Sequence, residues 1–278
     1  MTALCTVHTH SLLCDGKNTL EEMAWAAYEA GAVSFGASGH SHTEIPWDRG
    51  CVLPGDLTAY RAEVLRLREI YAGRMDVLLG IEWDACSPGV PQGFDYWIGS
   101  VHNLCGPEPG QWYAVDYDVE KLAEGCRELA GGDFVALAER YYDAVAEMAS
   151  RNPTVLGHID LITKFNAGNR LFDEEAPRYR RAALRALHAA DPRETLLEIN
   201  TGAVARGYRS APYPAPFILR EWRAMGGRII LTADAHSAEA VVYGYARAAA
   251  LARAAGYDRC VLLTANGGVE ISFNVCFA

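Results

Sequence analysis

Long hydrophobic runs are missing from this 278-residue sequence. No apolar stretch reaches the ~18 residues that a membrane-spanning helix needs. The first residues also lack the basic start and the long apolar segment of a secretory signal. We therefore expect a cytoplasmic protein without a membrane partner.

Positive charge is also scarce. Lys and Arg together number 25 against 35 Asp and Glu, which gives a formal net charge of −10 at pH 7. Proteins that bind the phosphate backbone of nucleic acids usually need a basic face, so we expect no nucleic-acid partner. A small phosphorylated substrate is compatible with this charge, because bound metal ions would reverse the local field.

Paired cysteines are absent, although the sequence has eight cysteines. They are scattered singly, with no CxxC pair, in a chain too long to depend on disulfides. We therefore predict buried free thiols. No internal repeat, low-complexity tract or linker rich in Pro, Gly and Ser divides the chain. We predict a single domain over residues 1–278, with a hairpin-like extension at about 258–278.

Short apolar runs alternate with longer helical patterns. The predicted strands are 4–7, 33–37, 77–81, 96–101, 154–156, 196–199 and 229–232. Helices are predicted after a capping box formed by Thr19 and Glu22, after a capping Asp56, and over about 134–149, 179–190, 216–226 and 238–255. Seven such alternations indicate a parallel α/β architecture, which fits both a (β/α) barrel and an open doubly wound sheet.

Histidines and carboxylates gather at the carboxyl ends of the predicted strands. Seven of the eight histidines lie there, whereas His188 falls within a helix and is expected on the surface. In parallel α/β folds this edge carries functional sites. The gathered residues are His8, His10, Asp15, His40, His42, Glu82, His102, His158, Asp234 and His236.

These residue types favour a metal site. An HxH pair on a strand, as at His8 and His10, places two imidazoles on the same face. Any one of these residues alone is more often a hydrogen-bonded core group or a cap. Together they favour metal, because so many costly polar groups at one edge of a core otherwise have no purpose. Imidazole and carboxylate ligands suit Zn, Mn or Fe, and their number predicts two or three divalent ions.

Seven motifs, in their order along the chain, resemble those of the PHP (polymerase and histidinol phosphatase) superfamily, and within it the histidinol-phosphate phosphatases. The motifs are His8-Thr9-His10 with Asp15, Ser38-Gly39-His40-Ser41, Gly80-Ile81-Glu82, Gly99-Ser100-Val101-His102, Gly157-His158-Ile159-Asp160, Glu198-Ile199-Asn200-Thr201 and Asp234-Ala235-His236. The resemblance implies a distorted (β/α)7 TIM-like barrel of the PHP type with a trinuclear metal centre.

The resemblance also implies a ligand set for each ion. The first ion would take His8, His10, Glu82 and Asp234; the second would share Glu82 and add His102 and His158; the third would take Asp15, His40 and His236. Asp15 stands where many superfamily members have a histidine, and an acidic residue there resembles the histidinol phosphatase branch.

The activity implied is hydrolysis of L-histidinol phosphate to L-histidinol and phosphate, a step of histidine biosynthesis. We expect a hydroxide that bridges two metal ions to attack phosphorus, with Glu82, Asp234 and His236 as the catalytic residues. Asp234 or a metal-bound water would protonate the leaving oxygen. The candidates for binding the substrate phosphate are His42, Lys164, Arg206 and Arg209.

Several alternatives stay open. Residues 202–209 depart from the histidinol phosphatase pattern, so one alternative is a PHP phosphoesterase that acts on a different small phosphate ester or on a nucleotide. The alternative for Arg206 and Arg209 is that they are solvated loop charges without a role in binding. An amidohydrolase also opens with HxH, but usually bridges its metals with a modified lysine where this chain has Glu82. A degenerate barrel that keeps ions for structure would be expected to lack a ligand, and none is missing. Assembly into a homo-oligomer is compatible with the sequence.

Overall fold

The computed structural model describes residues 3–276, apart from the side chain of Cys276. Within this range the strands are β1 (Leu4–Thr6), β2 (Ala32–Ala37), β3 (Asp76–Asp84), β4 (Tyr96–Ser100), β5 (Asn103–Cys105), β6 (Trp112–Ala114), β7 (Val155–Leu156), β8 (Leu196–Asn200), β9 (Arg228–Thr232), β10 (Arg259–Thr264) and β11 (Gly267–Ser272). The helices are α1 (Leu20–Glu29), α2 (Leu57–Ile70), α3 (Val119–Ala130), α4 (Phe134–Ser150), α5 (Pro177–Leu187), α6 (Gly202–Ala205), α7 (Pro216–Ala224), α8 (Tyr245–Ala254) and α9 (Phe273–Cys276).

Seven parallel strands form the main sheet, in the order β1-β2-β3-β4-β7-β8-β9. Beyond the ends of β1 and β9, Thr9 and Ala235 form a parallel bridge. The backbone N–H of Ala235 donates to the carbonyl of His8 (3.0 Å), and that of His10 donates to the carbonyl of Ala235 (2.8 Å). These bonds nearly close the sheet into a barrel. The prediction of a distorted seven-stranded barrel is confirmed, and the open-sheet alternative is wrong.

Helix boundaries follow the local sequence signals in most places. The predicted capping box is present, since Thr19 accepts from the backbone N–H of Glu22 and the Glu22 carboxylate accepts from that of Thr19. Asp56 does precede α2, but the prediction that its side chain caps the helix is wrong, because it makes no capping bond. His188 ends α5 on the surface, as expected, with its Nε2 2.6 Å from Glu221.

The predicted continuous helix over 238–255 is wrong. A short 3-10 turn, Ala238–Ala240, is separated from α8 by Gly244, whose φ is +71°. This left-handed conformation cannot continue an α-helix, and glycine adopts it at little cost. The alanine-rich pattern concealed the break because Gly244 is a single residue within a long run of good helix formers.

Residues 103–130 form an insertion between β4 and β7 that the sequence patterns did not reveal. β5 and β6 pair as a short antiparallel hairpin, and α3 follows them. Asn103 pairs with Ala114 at the base of the hairpin, so the chain returns to the point where β4 ends. The insertion thereby adds a wall to the carboxyl end of the barrel.

β10 and β11 form a second antiparallel hairpin, the terminal hairpin, at the opposite end. The Ser34 hydroxyl of β2 donates to the carbonyl of Leu263, and the carboxylate of Asp76, where β3 begins, accepts from the backbone N–H of Ala265 (2.9 Å). Residues 277–278 of the predicted extension lie outside the described residues. β10 therefore covers the amino ends of the barrel strands.

None of the cysteines whose side chains are described forms a disulfide, as predicted. Four of them are buried, whereas Cys14 and Cys86 are partly buried and Cys105 is exposed. The prediction of burial is therefore wrong for Cys105. Among residues 3–276, no helix has the length and apolar character needed to cross a lipid bilayer.

Candidate metal centre

The nine predicted metal ligands come together at the carboxyl end of the barrel. Three of them, His8, His10 and Glu82, are almost completely buried, with 0%, 0% and 1% of their surface exposed. The others border a cavity of about 380 Å³ that opens above these three. They are Asp15, His40, His102, His158, Asp234 and His236. We call these nine residues the ligand cluster.

Glu82 lies in the middle of the ligand cluster because the long strand β3 carries it past the end of β2, where it forms a parallel bridge with His40. Its Oε2 lies 3.1 Å from Nε2 of His8, 3.4 Å from Nε2 of His10 and 3.0 Å from Nδ1 of His40. Its Oε1 faces a second set, 3.0 Å from Nε2 of His158 and 3.4 Å from Nε2 of His102. The two oxygens of one carboxylate therefore point to different groups of imidazoles, as a bridging ligand requires.

The charge state of Glu82 is set by these neighbours. Burial alone would raise the pKa of its carboxyl group. The surrounding imidazoles of His8, His40 and His102 outweigh that effect and hold the pKa well below its usual range. The carboxylate is therefore ionised at neutral pH and is available as a ligand.

Three buried atoms at the centre of the cluster have no hydrogen-bond partner among the described residues. They are Nε2 of His8, Nε2 of His10 and Oε2 of Glu82. Oε2 of Glu82 lies 3.1 Å from Nε2 of His8 and 3.4 Å from Nε2 of His10, but the atoms are not aligned for hydrogen bonds. Unsatisfied buried polar atoms are costly, and a cation between them would satisfy all three. The donor set of imidazole nitrogens and carboxylate oxygens therefore fits a divalent metal such as Zn, Mn or Fe.

The cluster offers room for more than one ion. Four sets of ligand atoms each lie within 4.8 Å of one another. The sets are His10, Asp15, His40 and His236; His8, His10 and Glu82; His8, His158 and Asp234; and His40, Glu82 and His102. Because the sets overlap, these residues are placed to bind several metal ions side by side. The exact division of the nine ligands among three ions stays a prediction.

Glu198 supports the cluster without being free to bind metal. One oxygen lies 2.5 Å from Nδ1 of His8 and accepts from the hydroxyl of Thr232 (2.6 Å). The other accepts from the backbone N–H of His158 (2.6 Å) and the side-chain amide of Asn200 (3.1 Å). With Nδ1 of His8 bound to this carboxylate, Nε2 is left facing Glu82. Carboxylates orient metal-binding histidines in this way in many metalloproteins.

Asp84 has the same relation to His102. Its Oδ2 lies 3.0 Å from Nδ1 of His102 and accepts from the backbone N–H of that residue (2.9 Å). Neither Asp84 nor Glu198 was predicted from the sequence to be a site residue. The available signal was their position at the ends of buried strands next to predicted ligands, since an acidic residue there needs a partner.

Arg206 places a cation on one side of the site, where it pairs with the carboxylate of Asp234. Asp234 has a φ of +47°, which is uncommon for a residue other than glycine and turns its side chain back towards the cluster. Nη2 of Arg206 donates to Oδ2 of Asp234 (3.0 Å), and Nη1 lies 2.8 Å from Nδ1 of His236. Burial would raise the pKa of Asp234, but the charges of Arg206 and His8 hold it well below the usual range.

The four candidate phosphate-binding residues separate into two pairs. Arg206 and Lys164 line the cavity. His42 and Arg209 are not among its lining residues. Arg209 donates to the carbonyl of Thr163 (3.0 Å) and lies over the ring of Tyr213, whereas Nδ1 of His42 lies 3.6 Å from Sγ of Cys51. These placements leave Arg206 and Lys164 as candidates at the cavity and give no support to the other two.

Comparison with known proteins identifies the family. The sequence matches the PHP domain over residues 5–202. A protein of Deinococcus radiodurans named "Probable histidinol-phosphatase" is 32% identical over 264 residues, which cover 89% of this chain and 92% of that protein. The "Histidinol-phosphatase" of Bacillus subtilis is 26% identical over 265 residues, which cover 86% of this chain and 95% of the relative.

A solved structure supports the same fold. The histidinol phosphate phosphatase of Lactococcus lactis, solved with Zn, L-histidinol and phosphate, superposes with a TM-score of 0.69 and 18% identity. The superposition covers 96% of this chain and 98% of that one, so the barrel architecture is shared over nearly the whole length. The predicted resemblance is confirmed, and the chain belongs to the PHP family.

Proposed function

We propose that this protein is a metal-dependent phosphomonoesterase that hydrolyses L-histidinol phosphate to L-histidinol and phosphate. The observation that carries the proposal is the set of unpartnered buried atoms of His8, His10 and Glu82, which lie beneath a cavity lined by Arg206. Metal ligands beside a guanidinium are suited to a phosphoryl group, since both offset its negative charge. The names of the two relatives and of the solved structure give the same substrate.

The ligand cluster would hold the ions in the predicted arrangement. His8, His10, Glu82 and Asp234 would bind the first, Glu82, His102 and His158 the second, and Asp15, His40 and His236 the third. Bound divalent ions supply a water of lowered pKa and positive charge next to the phosphoryl oxygens. Glu198 and Asp84 hold His8 and His102 in the ring orientation that such ligation needs.

Arg206 would position the phosphate. Its guanidinium is fixed by Asp234 and His236, and the side chain is about one-third exposed to the cavity. A guanidinium has five N–H donors, so donors remain for the phosphoryl oxygens after these contacts. Because the group is already held in place, little side-chain entropy is lost when the substrate binds.

Asp234 would move the proton that the leaving group needs. Its carboxyl group is ionised before reaction, because its pKa is held well below the usual range. Oδ1 of Asp234 lies 3.3 Å from Nε2 of His10 and therefore faces the ligand cluster. The carboxylate can therefore accept a proton from the attacking water and return it to the alkoxide oxygen that leaves.

Steady-state kinetics of the protein reconstituted with Zn or Mn test this proposal. We expect kcat/KM for L-histidinol phosphate to exceed that for nucleotides, phosphodiesters and other phosphomonoesters by on the order of 100-fold. A higher value for a nucleotide or another ester would support the alternative PHP phosphoesterase. Failure to hydrolyse any phosphate ester with ions bound would refute the proposal.

Other expectations stay predictions beside this one. They are a cytoplasmic location, a single domain over residues 1–278, the absence of a nucleic-acid partner, and the capacity to form a homo-oligomer. Size-exclusion chromatography with light scattering measures the last of these directly.

A further inference from the structure

The cavity contains a carboxylate that belongs neither to the ligand cluster nor to its supports. Asp116 follows β6, and the β5–β6 hairpin folds back so that the backbone N–H of Val115 donates to the carbonyl of His102 (2.8 Å). Asp116 consequently lines the cavity beside His102, together with His158 and Arg206. No pattern in the sequence pointed to this residue.

Asp116 is held in place on one side only. Nζ of Lys164 donates to its backbone carbonyl (2.7 Å) and to its Oδ2 (3.1 Å). Oδ1 has no partner among residues 3–276, and about a quarter of the side chain is exposed. Since a carboxylate can accept about four hydrogen bonds, Asp116 offers free acceptor positions to the cavity.

The carboxyl group is charged at neutral pH. Burial by itself would raise its pKa, but the charges of Lys164 and His102 lower it below the ordinary value. A fixed negative charge beside a phosphate-binding site repels the substrate unless the substrate also carries a positive group. The neighbouring Lys164 reduces this repulsion without using Oδ1.

The cavity thus contains two opposite charges, a guanidinium and a carboxylate. Arg206 presents a cation beside the ligand cluster, whereas Asp116 presents an anion on the wall built by the insertion. The aromatic rings of Trp47, Tyr117 and Tyr208 line the same space. This arrangement is complementary to a molecule that joins a phosphate to an ammonium group through a short carbon chain.

We propose that Asp116 binds the ammonium group of the substrate and thereby selects amino-alcohol phosphates over phosphate esters that lack a cation. The inference rests on the proposed function, because L-histidinol phosphate carries its amine near the ester. Asp116 is then a specificity-determining residue, and Lys164 fixes its position and does not take the phosphate.

The test compares two substrates in three proteins. The substrates are L-histidinol phosphate and its desamino analogue, 3-(imidazol-4-yl)propyl phosphate. The variants are Asp116→Asn and the matched control Asp48→Asn, which removes the same charge from the same cavity. Asp48 accepts from the hydroxyl of Thr43 (2.6 Å), so its carboxylate is already engaged.

We expect the wild type to prefer the amino substrate by roughly 10- to 100-fold in kcat/KM, as one hydrogen bond to a charged group implies. In Asp116→Asn, kcat/KM for L-histidinol phosphate should fall until the preference disappears, whereas the desamino analogue should be turned over at the wild-type rate or faster. Asp48→Asn should keep the preference. Metal content and the melting temperature of each variant verify that the site is intact.

Two outcomes would overturn the inference. One is an equal loss on both substrates in Asp116→Asn, which would make Asp116 a structural support for Lys164. The other is a wild-type enzyme that hydrolyses both substrates equally well. Neither result contradicts the phosphatase activity itself, whereas failure of the wild type to hydrolyse L-histidinol phosphate would refute the proposed function.

Discussion

The two ends of the barrel are formed by the same strands but bury different kinds of side chain. At the carboxyl end, β3 leads to the buried carboxylate of Glu82, and the extension of β1 leads to the buried imidazoles of His8 and His10. At the amino end, Val261 and Leu262 of β10 are buried in the hydrophobic core, with 1% and 6% of their surface exposed. One end concentrates buried imidazoles and carboxylates, whereas the other is packed mainly with apolar side chains.

The difference shows where stability and function are separated in this fold. Each fully buried aliphatic side chain at the amino end contributes about 2 kcal/mol to stability. The carboxyl end contains polar atoms that are costly until ions bind. Substitutions at the two ends should therefore produce different defects, and the following predictions run from the largest expected effect on activity to the smallest.

Replacing Glu82 by Gln should have the largest effect. The substitution removes the negative charge of the carboxylate that is proposed to bridge two ions. The value of kcat should therefore fall by on the order of 100- to 1,000-fold or more, with less metal bound per chain. Steady-state kinetics and elemental analysis measure both quantities. Ser100→Ala is the matched control, because it removes only the hydroxyl that donates to Glu82 (2.7 Å) and keeps the charge. Near-normal turnover of Glu82→Gln with full metal content would exclude the bridging role.

Replacing Glu198 by Gln should have an intermediate effect. His8 would lose the carboxylate that orients its ring, and we expect metal affinity to fall roughly 10- to 100-fold. Competition titration with a chromogenic chelator measures the affinity, and rescue by Glu198→Asp would show that the charge is what matters. Thr232→Val removes a single bond to the same carboxylate and should change the affinity much less. Unaltered affinity in Glu198→Gln would mean that His8 is held by its backbone alone.

Replacing Leu262 by Ala should leave catalysis intact. The cavity created under the barrel should reduce the free energy of unfolding by about 2–5 kcal/mol, with kcat/KM per folded molecule within a factor of ~2 of wild type. Urea unfolding and kinetics at low denaturant measure these two effects. Val269→Ala is the control, since Val269 pairs with Leu262 across the hairpin but is 52% exposed. A catalytic loss as large as the loss of stability would show that the two ends are coupled.

The carboxyl end was largely predictable from the sequence. Short apolar runs that end in His or Glu place imidazoles and carboxylates together at one edge of a parallel sheet. The position of His8, His10 and Glu82 therefore followed from strand periodicity. The barrel was implied by the family resemblance, because the alternation of strands and helices alone also fits an open sheet.

Other features depend on tertiary contacts that sequence patterns do not encode. Asp116 reaches the cavity only because the hairpin over 103–114 folds back onto His102. Arg209 was predicted to bind phosphate from its place in the chain, but Thr163 and Tyr213 hold it away from the cavity lining. In both cases the direction of a side chain is decided by a partner distant in sequence.

The bridge between Thr9 and Ala235 has a consequence for protein synthesis. His8 and His10, which begin the ligand cluster, are translated more than 220 residues before Asp234 and His236. A nascent chain therefore cannot assemble the complete metal centre, however well its earlier segments fold. Termination before residue 234 would yield a product that lacks the last ligands and the closing bridge, so translation must pass His236 before the metal centre can be complete.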